Sequence, residues 1–195
     1  MYGKKFRHSR SHYSDVAVEK VSVIISAYMS GHSKWSSIKH KKGITDQKRG
    51  QLFSKLSKNI TLAARHGADP KMNAVLANAI EQAQAANMPK DNIDRAIKKV
   101  SDKSVVELQE VVVEAIGPGG VALRIKAVTD NSNRTISEIR KILVNHHVKM
   151  VNPRSIDWMF HTPVVISPEE HTQLDKLFEA LNDQDDVDDV ASNLQ

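Results

Sequence analysis

A chain of 195 residues, 40% hydrophobic and 26% charged, has a globular composition and is too apolar to be wholly disordered. It contains no cysteine, which excludes disulfide scaffolds, thiolate zinc sites and thiol nucleophiles. The net charge of +5 conceals two opposite halves, because residues 31–104 carry fifteen Lys/Arg against six acids and residues 105–195 carry eight against fifteen. A basic first half is the footprint of a polyanion binder, since cations that replace condensed counterions gain free energy from their release.

Residues 1–28 mix Lys4, Lys5, Arg7 and Arg10 with Ser and His before the short apolar run Val21–Ile25. They fit neither a secretory signal nor, with Asp15 and Glu19, an acid-poor presequence. They read as a disordered extension or a misassigned start. The longest apolar stretch, Val21–Met29, is far below the roughly 20 residues that cross a bilayer, so no membrane partner is expected. The expected location is the cytoplasm, or the mitochondrial matrix should the extension act as a presequence.

Residues 29–104 read as a basic helical domain. Its opening arm, Gly31 to Gly43, places Lys34, Lys39, Lys41 and Lys42 around Trp35 and His40, with no acid before Asp46. Lysines on phosphates with Trp and His stacked on bases is how single strands are often held, whereas the plain alternative is a solvated loop. From Thr45 to His66, Leu52, Phe53, Leu56, Ile60 and Ala63 recur at helical spacing, and Gly67 supplies the stop. Lys48, Lys55, Lys58 and His66 fall on the opposite side and are expected to extend the arm's charge, while Arg49 lies nearer the apolar side. Asp69 and Pro70 predict the start of a second helix carrying Val75, Leu76, Ala79, Ile80 and Ala83. Pro89 opens a third, with Ile93, Ala96, Ile97 and Val100 inside.

Residues 105–195 read as an antiparallel-sheet α/β sandwich, which makes the whole chain α+β. Val111–Ile116 and Val121–Val128 alternate around Gly117–Gly120 and predict a hairpin. No Gly-Lys-Ser/Thr follows those glycines, so they do not read as a phosphate cradle. Thr129–Thr135 is a polar loop before a helix carrying Ile136, Ile139, Ile142 and Leu143. Ser155–Phe160 and Val164–Ser167 are expected to be strands. Pro168 starts a helix with Leu174, Leu177, Phe178 and Leu181 inside, and Val187–Leu194 forms an edge strand. The aspartates at 183, 185, 186, 188 and 189 lack the glycine and terminal Glu of a calcium loop and read as a solvated turn. No metal, cofactor or catalytic constellation is expected: His146 and His147 diverge on a helix, and no paired carboxylates suit a two-metal nuclease.

Gly31–Trp35, Ile38–Lys42, Asn87–Ala96, Gly117–Gly120, Thr129–Thr135 and Trp158–Phe160, in this order, closely resemble the YebC family. That family includes bacterial proteins described as probable transcriptional regulators and the mitochondrial translational activator of cytochrome c oxidase. The resemblance runs from Met29 to the C-terminus. It implies a three-helix-rich first domain, a sheet domain resting on it, and a non-enzymatic role in gene expression through DNA, messenger or ribosomal RNA, or the ribosome. Two departures stand out. Only His161–Pro163 occupies the place where family members usually insert a third domain, and Asn152–Ser155 replaces the family's glycine before Trp158–Phe160. The expected nucleic-acid contacts are Lys34, Trp35, Lys39, His40, Lys41, Lys42, Lys48, Arg49, Lys55 and Lys58, on a monomer. The competing classes are a nuclease acting on the same polyanion, and a protein-binding module whose basic half meets the acidic half of another copy.

Overall fold

The computed structural model describes residues 46–101 and 107–195. The first helix, α1, spans Asp46–Ala64, and α2 (Ala74–Ala85) and α3 (Lys90–Lys98) fold back on it. Leu56, Ile60 and Ala63 of α1 recur every third or fourth residue, so one stripe meets Leu76 and Ala83 of α2 and Ile93 and Ala96 of α3. Thr61 ties the bundle further by donating its hydroxyl to the Ala96 carbonyl at 3.0 Å.

The second helix starts later than Asp69–Pro70 predicts. Asp69 only closes a local turn, accepting from the Lys71 N–H at 3.0 Å, and the helix is capped by Asn73. The Asn73 side-chain carbonyl accepts from the Leu76 N–H, while its amide donates to the Ala63 and Gly67 carbonyls, both at 2.8 Å. One buried amide thus ends α1 and begins α2, which a surface aspartate cannot do.

The sheet unit comprises β1 (Gln109–Ile116), β2 (Ala122–Thr129), α4 (Ser132–Asn145), β3 (Lys149–Val151), α5 (Pro168–Asn182) and β4 (Val187–Ser192). Strand order is β3-β1-β2-β4 with every neighbour antiparallel, and β4 lies at an edge as expected. Alternation sends Val113, Ala115, Leu123, Ile125 and Ala127 to one face, where Ile139 and Leu143 of α4 and Leu174, Leu177 and Leu181 of α5 cover them. Ser167 and Glu170 form a capping box that fixes the start of α5. Gly119 has φ of 65°, and a Cβ there would lie 2.5 Å from Ile166 Cγ2, so the glycine turn is shaped by close packing.

Ser155–Phe160 is not a strand. A turn containing Arg154 at φ 66° leads into a short 3₁₀ helix, Asp157–His161, which carries Asp157 to an arginine of β2. Val164–Ser167 is not one either, since only Val164 bridges to Leu194 and Ser167 serves as the helix cap. Asn193 pins this region, donating to the Met159 carbonyl at 3.0 Å and the Thr162 carbonyl at 2.9 Å while accepting from the Ala122 N–H. The strand β3, which pairs with β1, has no counterpart among the predicted elements.

Candidate nucleic-acid interface

Part of the polar side of α1 is turned to the sheet unit and not to open solvent. Residues 48, 51, 55, 58 and 59 recur at helical spacing and form a stripe that meets the end of α5, the turn that follows it and the start of β4. Lys48 Nζ stands 3.6 Å from Asp183 Oδ1, Gln51 donates to Asp185 Oδ1 at 3.3 Å, and Asn59 donates to Asp188. Lys55 Nζ donates to the Asn182 carbonyl at 2.6 Å. Lys58 Nζ donates to Asp186 Oδ1 at 2.6 Å and to the Asp185 carbonyl at 3.2 Å. The basic-to-acidic pairing that the competing protein-binding reading places between two copies is found within one chain.

Asp186 is the hub. Besides Lys58, it accepts from Thr135 at 2.6 Å, Arg134 at 2.9 Å and Thr129 at 3.1 Å. These three donors belong to the Thr129–Thr135 motif, whose backbone is set by Asn131 capping α4. Burial pushes the Asp186 carboxyl up, but hydrogen bonds from Lys58, Thr135 and Arg134 outweigh it and hold the group well below the ordinary carboxylate range. The aspartate turn is thus only partly solvated, contrary to its sequence reading. Between α1, α4 and the turn lies a polar cleft of about 670 Å³, lined by Gln51, Ser54, Lys58, Arg134, Glu138 and Asp185 among others.

On the sheet face away from α4 and α5, Glu114 and Arg124 stand opposite each other in register and are buried. Arg124 donates to Glu114 Oε1 through Nε at 3.0 Å and Nη2 at 2.7 Å, pairs with Asp157, and lies over the Phe160 ring at 4.4 Å. The Arg154 N–H donates to Glu114 Oε2 at 2.7 Å, so the turn containing Arg154 is anchored to this pair.

Lys34, Trp35, Lys39, His40, Lys41 and Lys42 lie outside the described residues. Arg49 is exposed, with Nη1 3.7 Å from Asp46 Oδ1. Lys48, Lys55 and Lys58 are brought together, but against aspartates; Lys55 is only 5% exposed, so the expectation that it projects into solvent is corrected. The reason is tertiary: the apolar stripe of α1 packs on its own bundle, and the opposite stripe is covered by the acidic turn. Sequence reasoning gives Gln51 and Asn59 no part in a site, reads Asp186 only as one of a solvated cluster, and places Arg134 in the Thr129–Thr135 motif without a partner; the cation spacing on α1 and the density of aspartates at 183–189 are the available signal. Among the described residues no three His, Asp or Glu converge to hold a metal, and no helix is long and apolar enough to cross a membrane.

Burial lowers the Lys55 ammonium from 10.5 to about 8, although Asp185, Asp188 and Asp183 oppose the shift. Between those two pH values the unfolded chain holds a proton that the folded chain has released, so stability rises with pH. The expected gain over that window is on the order of 3 kcal/mol. Lys55→Met should abolish this rise, as denaturant titrations of both chains at pH 7 and 10 would establish.

These features define a two-part α+β protein whose basic helical unit is fastened to a sheet unit by a polar seam. The chain belongs to the TACO1/YebC family: residues 33–103 match the TACO1/YebC protein N-terminal domain and residues 108–167 match the TACO1/YebC second and third domain. A protein of Trichlorobacter lovleyi named "Probable transcriptional regulatory protein" is 49% identical over 154 residues, covering 78% of this chain and 62% of the relative. One of the same name from Desulfosudis oleivorans is 54% identical, covering 68% and 54%. A counterpart from Geobacter sulfurreducens is 45% identical over 84% of this chain and 66% of its own length. The chain therefore spans about two thirds or less of these relatives. The crystal structure of a conserved hypothetical protein from Aquifex aeolicus superposes with a TM-score of 0.70 at 29% identity, covering 84% of this chain and 97% of that one.

Proposed function

We propose that this protein is a non-enzymatic, cytoplasmic regulator of gene expression that binds nucleic acid through the basic segment from Lys34 to Arg49, acting on RNA or the ribosome. The observation that carries the reading is charge segregation: fifteen cations against six acids in residues 31–104, beside a second half whose excess of acids repels phosphate. The names of the bacterial relatives support the regulatory role. Lys34, Lys39, Lys41 and Lys42 would meet phosphates while Trp35 and His40 stack on bases, and Lys48 and Arg49 would continue that surface onto α1. RNA is favoured over a duplex sequence because the arm carries Trp35 and His40 for stacking on unpaired bases. We also read the short His161–Pro163 connection as the place where the inserted third domain of relatives is missing. Binding would then survive its absence, whereas positioning on a larger assembly would suffer.

The test is competition at physiological salt between ribosomal RNA and duplex DNA of equal length for the full chain. RNA is expected to win. A preference for one duplex sequence over both random DNA and RNA would replace this reading with a transcription factor, and no salt-sensitive binding to either would end it.

A further inference from the structure

We infer that the aspartate turn after α5 is an intramolecular competitor for nucleic acid: it occupies the basic stripe of α1, and a polyanion gains Lys48 and Lys58 only by displacing it. The inference rests on the nucleic-acid reading above and adds regulation to it.

Three features of the seam carry it. First, the match is one of charge and spacing: successive polar residues of the helix meet Asp183, Asp185, Asp186 and Asp188, as they would meet successive phosphates. Second, the outer half of the seam is wet. Lys48 and Asp183 are each about half exposed, the Gln51–Asp185 bond is exposed, and a polar cleft opens beside them. Exposed pairs of this kind are weak and screened by salt. Third, Asp186 does not depend on the helix for its hydrogen bonds, because Thr129, Arg134 and Thr135 hold it from within the sheet unit. The turn can therefore leave α1 without stranding a buried carboxylate. A polyanion that supplies several phosphates and releases counterions competes directly for the same cations. Apparent affinity is then the intrinsic affinity reduced by the fraction of chains whose seam is open.

The test uses the full chain and a short fluorescein-labelled oligouridylate. The triple variant Asp183→Asn, Asp185→Asn, Asp188→Asn removes three of the seam's four carboxylates and so weakens its hold on α1, with only the Lys58–Asp186 pair left in place. Glu81→Gln, Glu110→Gln, Glu169→Gln removes the same charge from exposed sites elsewhere. The first variant should bind about tenfold tighter than the second, which isolates the seam from net charge. Because the chain has no cysteine, Gln51→Cys with Asp185→Cys can be joined by a short bismaleimide. The joined form should bind about tenfold more weakly than the same variant left unjoined. Equal affinities in either comparison, with binding intact, overturn the competitor and leave the nucleic-acid reading standing. If no form binds the oligonucleotide even at low salt, the nucleic-acid reading fails and the competitor with it.

Discussion

Glu114→Ala is expected to destabilise the protein by about 3–5 kcal/mol, the usual cost of removing one partner from a buried ion pair. Glu114 is 3% exposed and satisfies three donors, two on Arg124 and the Arg154 N–H. Truncation leaves a guanidinium that is itself nearly buried and removes the anchor of the turn that carries Asp157 over the sheet. For a chain of this size the melting temperature should fall by roughly 6–20 °C. Glu114→Gln, which retains an acceptor oxygen, should cost less than half as much. A loss below about 1 kcal/mol for Glu114→Ala would mean that Asp157 takes over the guanidinium unaided.

Asp186→Ala ranks second, at about 2–4 kcal/mol. The cost is smaller than for Glu114 because two of the four donors, Lys58 and Arg134, keep partial access to water. Thr129 and Thr135 are fully buried, and each is deprived of an acceptor. The pH dependence has a definite sign. The folded carboxyl titrates below its unfolded value of 3.8, so its contribution is complete above about pH 4 and is lost as pH falls towards the folded value. Denaturant titrations of both chains at pH 7 and pH 3 should show the gap between them narrowing at the lower pH. An equal gap at both would show that Asp186 is not the titrating hub of the seam.

The helices of the bundle were legible because their apolar residues keep one period, and the hairpin because β1 and β2 alternate around a glycine turn. What failed had tertiary causes. Asn73 outcompetes Asp69 as a cap because it also binds the end of α1, an interaction that local sequence does not display. Ile156, Trp158 and Phe160 occupy every second position as one face of a strand would, yet Trp158 ends 68% exposed while Asp157 and Phe160 are drawn to Arg124. Three-residue β3 is too short to carry a pattern. Helical spacing correctly placed Lys48, Lys55 and Lys58 together, but spacing says nothing about what a face meets. Here it meets aspartates more than a hundred residues away in sequence.

If the arm before α1 holds phosphate, the salt dependence of binding reads that role most directly. Titrating a labelled single-stranded RNA with the full chain at several salt concentrations gives the slope of log Kobs against log salt. Charge reversal of Lys39, Lys41 and Lys42 together should weaken binding and flatten that slope by about 2 to 3, roughly 0.7–0.9 for each phosphate no longer neutralised. A folded triple variant with unchanged affinity and unchanged slope would contradict a phosphate-binding arm.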